Sequence, residues 1–167
     1  MSKDGIYVLT PLLFILFMKR ALTTLLIITL CCLAHASIPP LLPMPQKYTF
    51  TGKYVKANLP VNEKIVSHID GAIFQDEAYH ILITSKGVNI EATTQRGLYW
   101  ARQTMAQLKT DKKGKRLLPL CEITDWPAFR IRGYMHDIGR SYIPMDELKA
   151  EIAMLSRFKI NTFHWHL

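Results

Sequence analysis

The chain has 167 residues, 49% of them hydrophobic and 20% charged, with a formal net charge of +8. That length holds one good core, or a small domain and part of another, but not two complete large domains. Positive charge alone would suit nucleic acid or a membrane surface, yet the one dense basic run, Lys112, Lys113, Lys115 and Arg116, lies around Gly114 between two apolar segments. It has no interleaved aromatic residues to stack bases, so it reads as a solvated loop and no nucleic-acid partner is expected.

Residues 1–36 differ in composition from the rest. Residues 6–17 are apolar, Lys19-Arg20 interrupts, and residues 21–33 are apolar again before Ala34-His35-Ala36. Counted from Met18, a candidate true start, this is a basic n-region, an apolar h-region and a small-x-small cleavage site before Ser37. The expectation is an exported protein, periplasmic or extracellular, that loses this signal peptide and has no membrane attachment afterwards. A retained membrane anchor is the alternative. Cleavage removes Lys3, Lys19, Arg20 and Asp4, which leaves +6 of the +8. It also removes Cys31 and Cys32, so Cys121 is the one remaining thiol and reads as a small buried hydrophobe in an apolar strand.

The prolines of residues 37–46 predict an extended lead-in. Residues 47–57 read as a hairpin around Thr51-Gly52, and residues 58–72 suit a short helix or a strand equally. Residues 78–84 and 86–94 are two β-rich runs, with Ile81, Leu82 and Ile83 in one and Val88, Ile90 and Ala92 alternating in the other, flanking Ser85-Lys86-Gly87, and they read as an antiparallel hairpin. In residues 96–108, Leu98, Ala101, Met105 and Leu108 fall on one face of a helix, with Gly97 placed for close packing on a sheet. Residues 117–124 form a further strand ended by Asp125-Trp126-Pro127. The first unit, residues 37–126, is therefore predicted as an α+β domain with an antiparallel or mixed sheet and helices on one face.

A second unit occupies residues 127–167. Residues 131–137 read as a strand, and a helix follows Pro144 with Asp146 and Glu147 in its first turn, where they suit the helix dipole. Met145, Leu148, Ile152 and Leu155 make its expected buried stripe, and Arg157 and Lys159 are expected to close its negative end. Residues 162–167 form the next strand. A strand–helix–strand of this length is the start of a parallel sheet or barrel that needs further strands to cover it.

These motifs carry a resemblance. Arg132-Gly133, Asp137 and Arg140, then Lys159-Ile160-Asn161 and His164-Trp165-His166-Leu167, resemble the opening of the catalytic (β/α)8 TIM barrel of the family 20 glycoside hydrolases, the β-N-acetylhexosaminidases. Leu42-Pro43-Met44-Pro45-Gln46, Arg96-Gly97-Leu98-Tyr99, Gln103-Thr104, Gln107-Leu108 and Ile123-x-Asp125-x-Pro127 are similar to the non-catalytic α/β domain that precedes that barrel. The resemblance implies hydrolysis of terminal N-acetylhexosamine residues from glycans with retention, the substrate's own acetamido oxygen acting as nucleophile. It places the acetamido-orienting aspartate and the acid glutamate on a later strand. Residues 1–167 are thus expected to hold no catalytic residue and to be inactive alone, as a truncated piece of the enzyme. It implies that Arg140, just past the carboxyl end of the first barrel strand, holds sugar hydroxyls, for which a planar fork of donors is suited. Asp137 is expected to orient that region rather than act as an acid. Two positions depart from the family pattern: His136 stands where an apolar residue is common, and Gly139 replaces a small polar residue before the arginine. No cofactor and no metal are expected, the partner is an N-acetylhexosamine-containing glycan, and the oligomeric state is open.

Two other readings compete. His164 and His166 alternate on one strand and point the same way, as metal ligands do at the mouth of some hydrolase barrels. Residues 39–126, which carry no cluster of acids or metal spacing, would alternatively serve as a non-catalytic secreted scaffold module able to fold alone.

Overall fold

The computed structural model describes residues 15–20, 22, 38–112, 114–139 and 142–167. The chain divides into two compact units, residues 1–37 and 38–167. In the first, residues 15–20 and 22 are helical, and no helix among the described residues is long and apolar enough to cross a membrane. The predicted cleavage site at Ala34-His35-Ala36 lies outside the described residues.

The second unit begins with β1 (Lys47–Lys56), β2 (Val61–Ile65), β3 (Tyr79–Ile83), β4 (Val88–Ala92), α1 (Gln95–Leu108), β5 (Thr110–Lys112) and β6 (Lys115–Asp125). These strands form a mixed sheet in the order β1-β6-β3-β4-β2, with β5 also beside β6. The β2–β4 pair is parallel and the others are antiparallel. Period-two alternation decides which face is buried. Tyr79, Ile81 and Ile83 of β3 and Val88, Ile90 and Ala92 of β4 are all at most 2% exposed, and α1 covers them with Leu98, Ala101, Met105 and Leu108. Burial of a side chain such as Ile81 is worth about 1.5–3 kcal/mol. The hairpin turn is closed by Thr84, whose hydroxyl accepts from the backbone N–H groups of Lys86 and Gly87. Thr94 caps α1, its hydroxyl accepting from Gly97 N–H.

Two features differ from the sequence reading, and a third decides between alternatives it left open. Residues 47–56 are one bulged strand, because both halves find the same partner: Phe50 lies opposite Cys121 and Tyr54 opposite Pro119, with the extra residues bulging at Gly52 (φ 79°). The Thr51 hydroxyl donates to Leu120 O across that bulge. The ambiguous stretch after Pro60 is the exposed edge strand β2, held in place by paired hydrogen bonds from Arg102 to Glu63. The basic run is a hairpin in which Lys112 pairs with Lys115, since β6 continues far enough to supply a backbone partner.

The chain continues with β7 (Gly133–Asp137), α2 (Met145–Arg157) and β8 (Thr162–His166), and β7 and β8 pair in parallel. Of the expected buried stripe on α2, Leu148 is 3% exposed, but Met145 is 51% and Ile152 43% exposed. Two strands offer too little surface to cover the whole face of a helix. Lys159 does not close the helix dipole; it is 7% exposed and turns toward the first sheet.

Candidate functional site

Two places hold converging polar side chains. The first is the carboxyl end of β7 and β8. Tyr134 and His136 point toward α2, where Glu151 accepts from the His136 ring at 2.7 Å and bonds the Tyr134 hydroxyl, holding that phenol above its ordinary range. The alternate residues Met135 and Asp137 therefore face the opposite side of the sheet, together with His164 and His166 of β8. In the parallel register His166 stands opposite Asp137, and the two histidine rings lie edge to face at 6.2 Å. Asp137 Oδ1 accepts from Gly139 N–H at 2.8 Å, which shapes the first turn of the loop after β7. A Cβ added at Gly139 would lie 3.2 Å from that same oxygen, so the absence of a side chain there keeps the turn tight. Arg140, the predicted sugar ligand, lies outside the described residues. Among the described residues no group of three or more His, Cys, Asp or Glu could hold a metal ion, and the His164–His166 pair gains no third donor.

The second place is the seam between the first sheet and the β7–α2–β8 unit. Lys159 Nζ donates to Asp125 Oδ2 at 2.6 Å and to the Tyr79 hydroxyl at 2.7 Å. The same hydroxyl donates to Asp125 Oδ2 and lies 2.6 Å from Thr104 Oγ1, while Asp125 Oδ1 accepts from Gln46 N–H. Beside this group Arg132 pairs with Glu77, and Asn161 donates to the other Glu77 oxygen. Burial pulls the Lys159 amine below its ordinary range in spite of Asp125, and burial together with Asp125 pushes the Tyr79 phenol well up. A cavity of about 280 Å³ opens here, lined chiefly by Met44, Trp100, Trp126 and Phe129 with Arg132 and Lys159 in its walls. Each cation is matched by a carboxylate, so the seam has the chemistry of a joint rather than of acid–base work. Cys121 is buried with its thiol pushed up to about 12, which fits an inert core residue.

Of the residues singled out in the sequence, the structure brings Asp137, His164 and His166 to one face and leaves Arg140 undescribed. The seam is not visible in the sequence pattern. By local pattern Asp125 reads as a strand terminator and Lys159 as a helix-end cation, because their pairing spans residues far apart in the chain. The one local signal was Lys159 itself, a lysine at the position after a helix where glycine is common.

Comparisons with known proteins agree with this architecture. The model described as glycosyl hydrolase family 20, domain 2, matches residues 46–126, and that of the family 20 catalytic domain matches residues 129–167. A β-hexosaminidase of Porphyromonas gingivalis is 34% identical over 65% of this chain, and an N,N'-diacetylchitobiase of Vibrio harveyi is 32% identical over 70%. The chain spans 15% and 13% of the length of these two relatives. Among solved structures, the exo-β-N-acetylglucosaminidase of Vibrio harveyi superposes with a TM-score of 0.67 at 24% identity, covering 80% of this chain and 26% of that one. The N-acetyl-β-hexosaminidase of Streptomyces plicatus gives 0.56 at 29% identity, covering 64% and 22%. The fold is that of domain 2 of a family 20 glycoside hydrolase joined to the opening strands of its catalytic domain. The chain belongs to glycosyl hydrolase family 20.

Proposed function

We propose that this chain is part of an exported β-N-acetylhexosaminidase that removes terminal N-acetylhexosamine residues from glycans by substrate-assisted, retaining hydrolysis. The observation that carries the reading is the consecutive match of two family 20 domains, ending in a parallel strand–helix–strand unit whose strand ends hold Asp137 and lead to Arg140. In a barrel enzyme the carboxyl ends of the strands carry the site. Arg140 is assigned to the sugar hydroxyls and Asp137 to shaping the loop that presents it, which its bond to Gly139 N–H supports. Residues 37–126 form the accessory domain and residues 127–167 the first part of the barrel. The family's nucleophile is the substrate's acetamido oxygen, oriented by an aspartate, while a glutamate protonates the leaving glycosidic oxygen; both carboxylates are assigned to a later strand, so residues 1–167 alone do not turn over substrate.

The full-length gene product tests this reading on 4-nitrophenyl N-acetyl-β-glucosaminide and on the corresponding β-glucoside. Turnover of the first alone is expected, because only it carries the nucleophilic acetamido group. Equal turnover of both, or none, contradicts the reading. Amino-terminal sequencing of the secreted protein is expected to begin at Ser37.

A further inference from the structure

Helix α2 ends in a left-handed turn. Lys159 N–H donates to Ser156 O and Ile160 N–H to Leu155 O, the hydrogen-bond pattern of a Schellman motif, and Lys159 occupies its left-handed position with φ 60°. It is the one non-glycine residue with positive φ among the described residues. Glycine would adopt this conformation without steric cost, so a lysine here calls for a reason in its side chain. The turn directs that side chain into the seam, where its amine meets Asp125 and Tyr79.

A second basic residue does the same at the neighbouring strand. Arg132 immediately precedes β7, pairs with Glu77, and donates through Nε to Lys159 O at 2.6 Å and through Nη1 to Phe129 O at 2.8 Å. Asn161 immediately precedes β8, and its side chain spans Glu77 Oε1 and Arg130 O. Glu77 and Asp125 are 4% and 5% exposed, and both belong to the first domain. Both barrel strands are thus fastened at their amino-terminal ends to buried carboxylates of the accessory domain, while Asp137 and Gly139 lie at the opposite ends.

We propose that Lys159 and Arg132 are positioning residues: a two-point latch through which the accessory domain sets the placement of β7 and β8, and through them the loop that follows Asp137. The functional consequence rests on the assignment of that loop to sugar binding. The latch itself does not, and it is tested by a readout independent of any sugar. Removing one partner of a buried pair leaves an uncompensated charge, and the loss is felt first by the elements that the pair holds.

The experiment is amide hydrogen exchange on the full chain, comparing the β7–β8 amides with those of β3–β4. Lys159→Gly keeps the left-handed turn and removes the amine. It is expected to speed β7–β8 exchange by about 100-fold or more while β3–β4 changes by less than about 3-fold. Asp125→Asn should give the same pattern, and the double variant should be no worse than Asp125→Asn alone. Should Lys159→Gly fail to fold, Arg132→Lys, which keeps the charge and loses the fork, is read in the same way and is expected to loosen β7–β8 selectively. Exchange in either readable variant that is unchanged, or that accelerates equally in both sheets, overturns the proposal.

Discussion

Gly97 carries a prediction in which two effects of opposite sign compete. Replacing it with alanine raises helix propensity, worth about 1 kcal/mol in an exposed helix interior. At this site, however, an added Cβ would lie 2.5 Å from Ala78 O and 3.1 Å from Ala92 Cβ. Ala78 is fully buried, and its carbonyl already accepts from Thr93 N–H, so the obstructing atom is backbone that cannot step aside without loosening the β3–β4 hairpin. The helix must instead retreat by roughly 0.5 Å from a close-packed face, and overpacking of that kind costs about 1–3 kcal/mol or more. Because the contact is with backbone, the upper end applies and the net effect of Gly97→Ala is a loss of about 2 kcal/mol. Urea denaturation should show a lower midpoint with an unchanged slope. A variant more stable than the parent by about 1 kcal/mol, the propensity effect alone, would mean that α1 does not sit against β3 as described.

Further outcomes follow from the same geometry. The folded state retains the Cys121 proton that the unfolded chain releases above about pH 8.5, so between there and about 12 this thiol lowers stability as pH rises, by up to about 1.4 kcal/mol per unit. Lys159 acts in the opposite sense, since its lowered pKa makes the folded state bind fewer protons than the unfolded one. Comparing the parent with Cys121→Ala between pH 8.5 and 10 isolates the thiol: the variant should lack that part of the slope, and equal slopes would contradict a buried thiol. Tyr79→Phe removes a hydroxyl bound to Asp125, Thr104 and Lys159 and should cost about 1–3 kcal/mol in denaturation. In Glu151→Gln the Tyr134 phenol, now held up by its bond to that carboxylate, should titrate lower when followed by NMR, and an unchanged titration would refute that contact.

Local pattern made much of this fold readable. The apolar run Ile81-Leu82-Ile83, the alternation of Val88, Ile90 and Ala92, the Ser85-Lys86-Gly87 turn and the one-faced spacing of Leu98, Ala101, Met105 and Leu108 each specify an element from neighbouring residues alone, and the structure has all of them. The structure departs from local pattern where a partner far along the chain decides. Thr51-Gly52 has the composition of a turn but becomes a bulge because β6 is long enough to pair with both flanks. The α2 stripe suits burial by its spacing, yet how much of it is covered depends on the strands beside it. The candidate site divides in the same way. Strand alternation places His164 and His166 on one face, but that Asp137 shares it depends on the β7–β8 register, and the Lys159–Asp125 and Arg132–Glu77 pairs depend on contacts between the two domains, which periodicity does not encode.

The proposed role of Arg140 in holding the sugar is tested by Arg140→Ala in the full-length gene product, assayed on 4-nitrophenyl N-acetyl-β-glucosaminide. The expected result is a fall in kcat/KM of about 100-fold or more, since charged hydrogen bonds to substrate are worth about 1.5–3 kcal/mol each, with an unchanged melting temperature. A kcat/KM equal to that of the parent would contradict it.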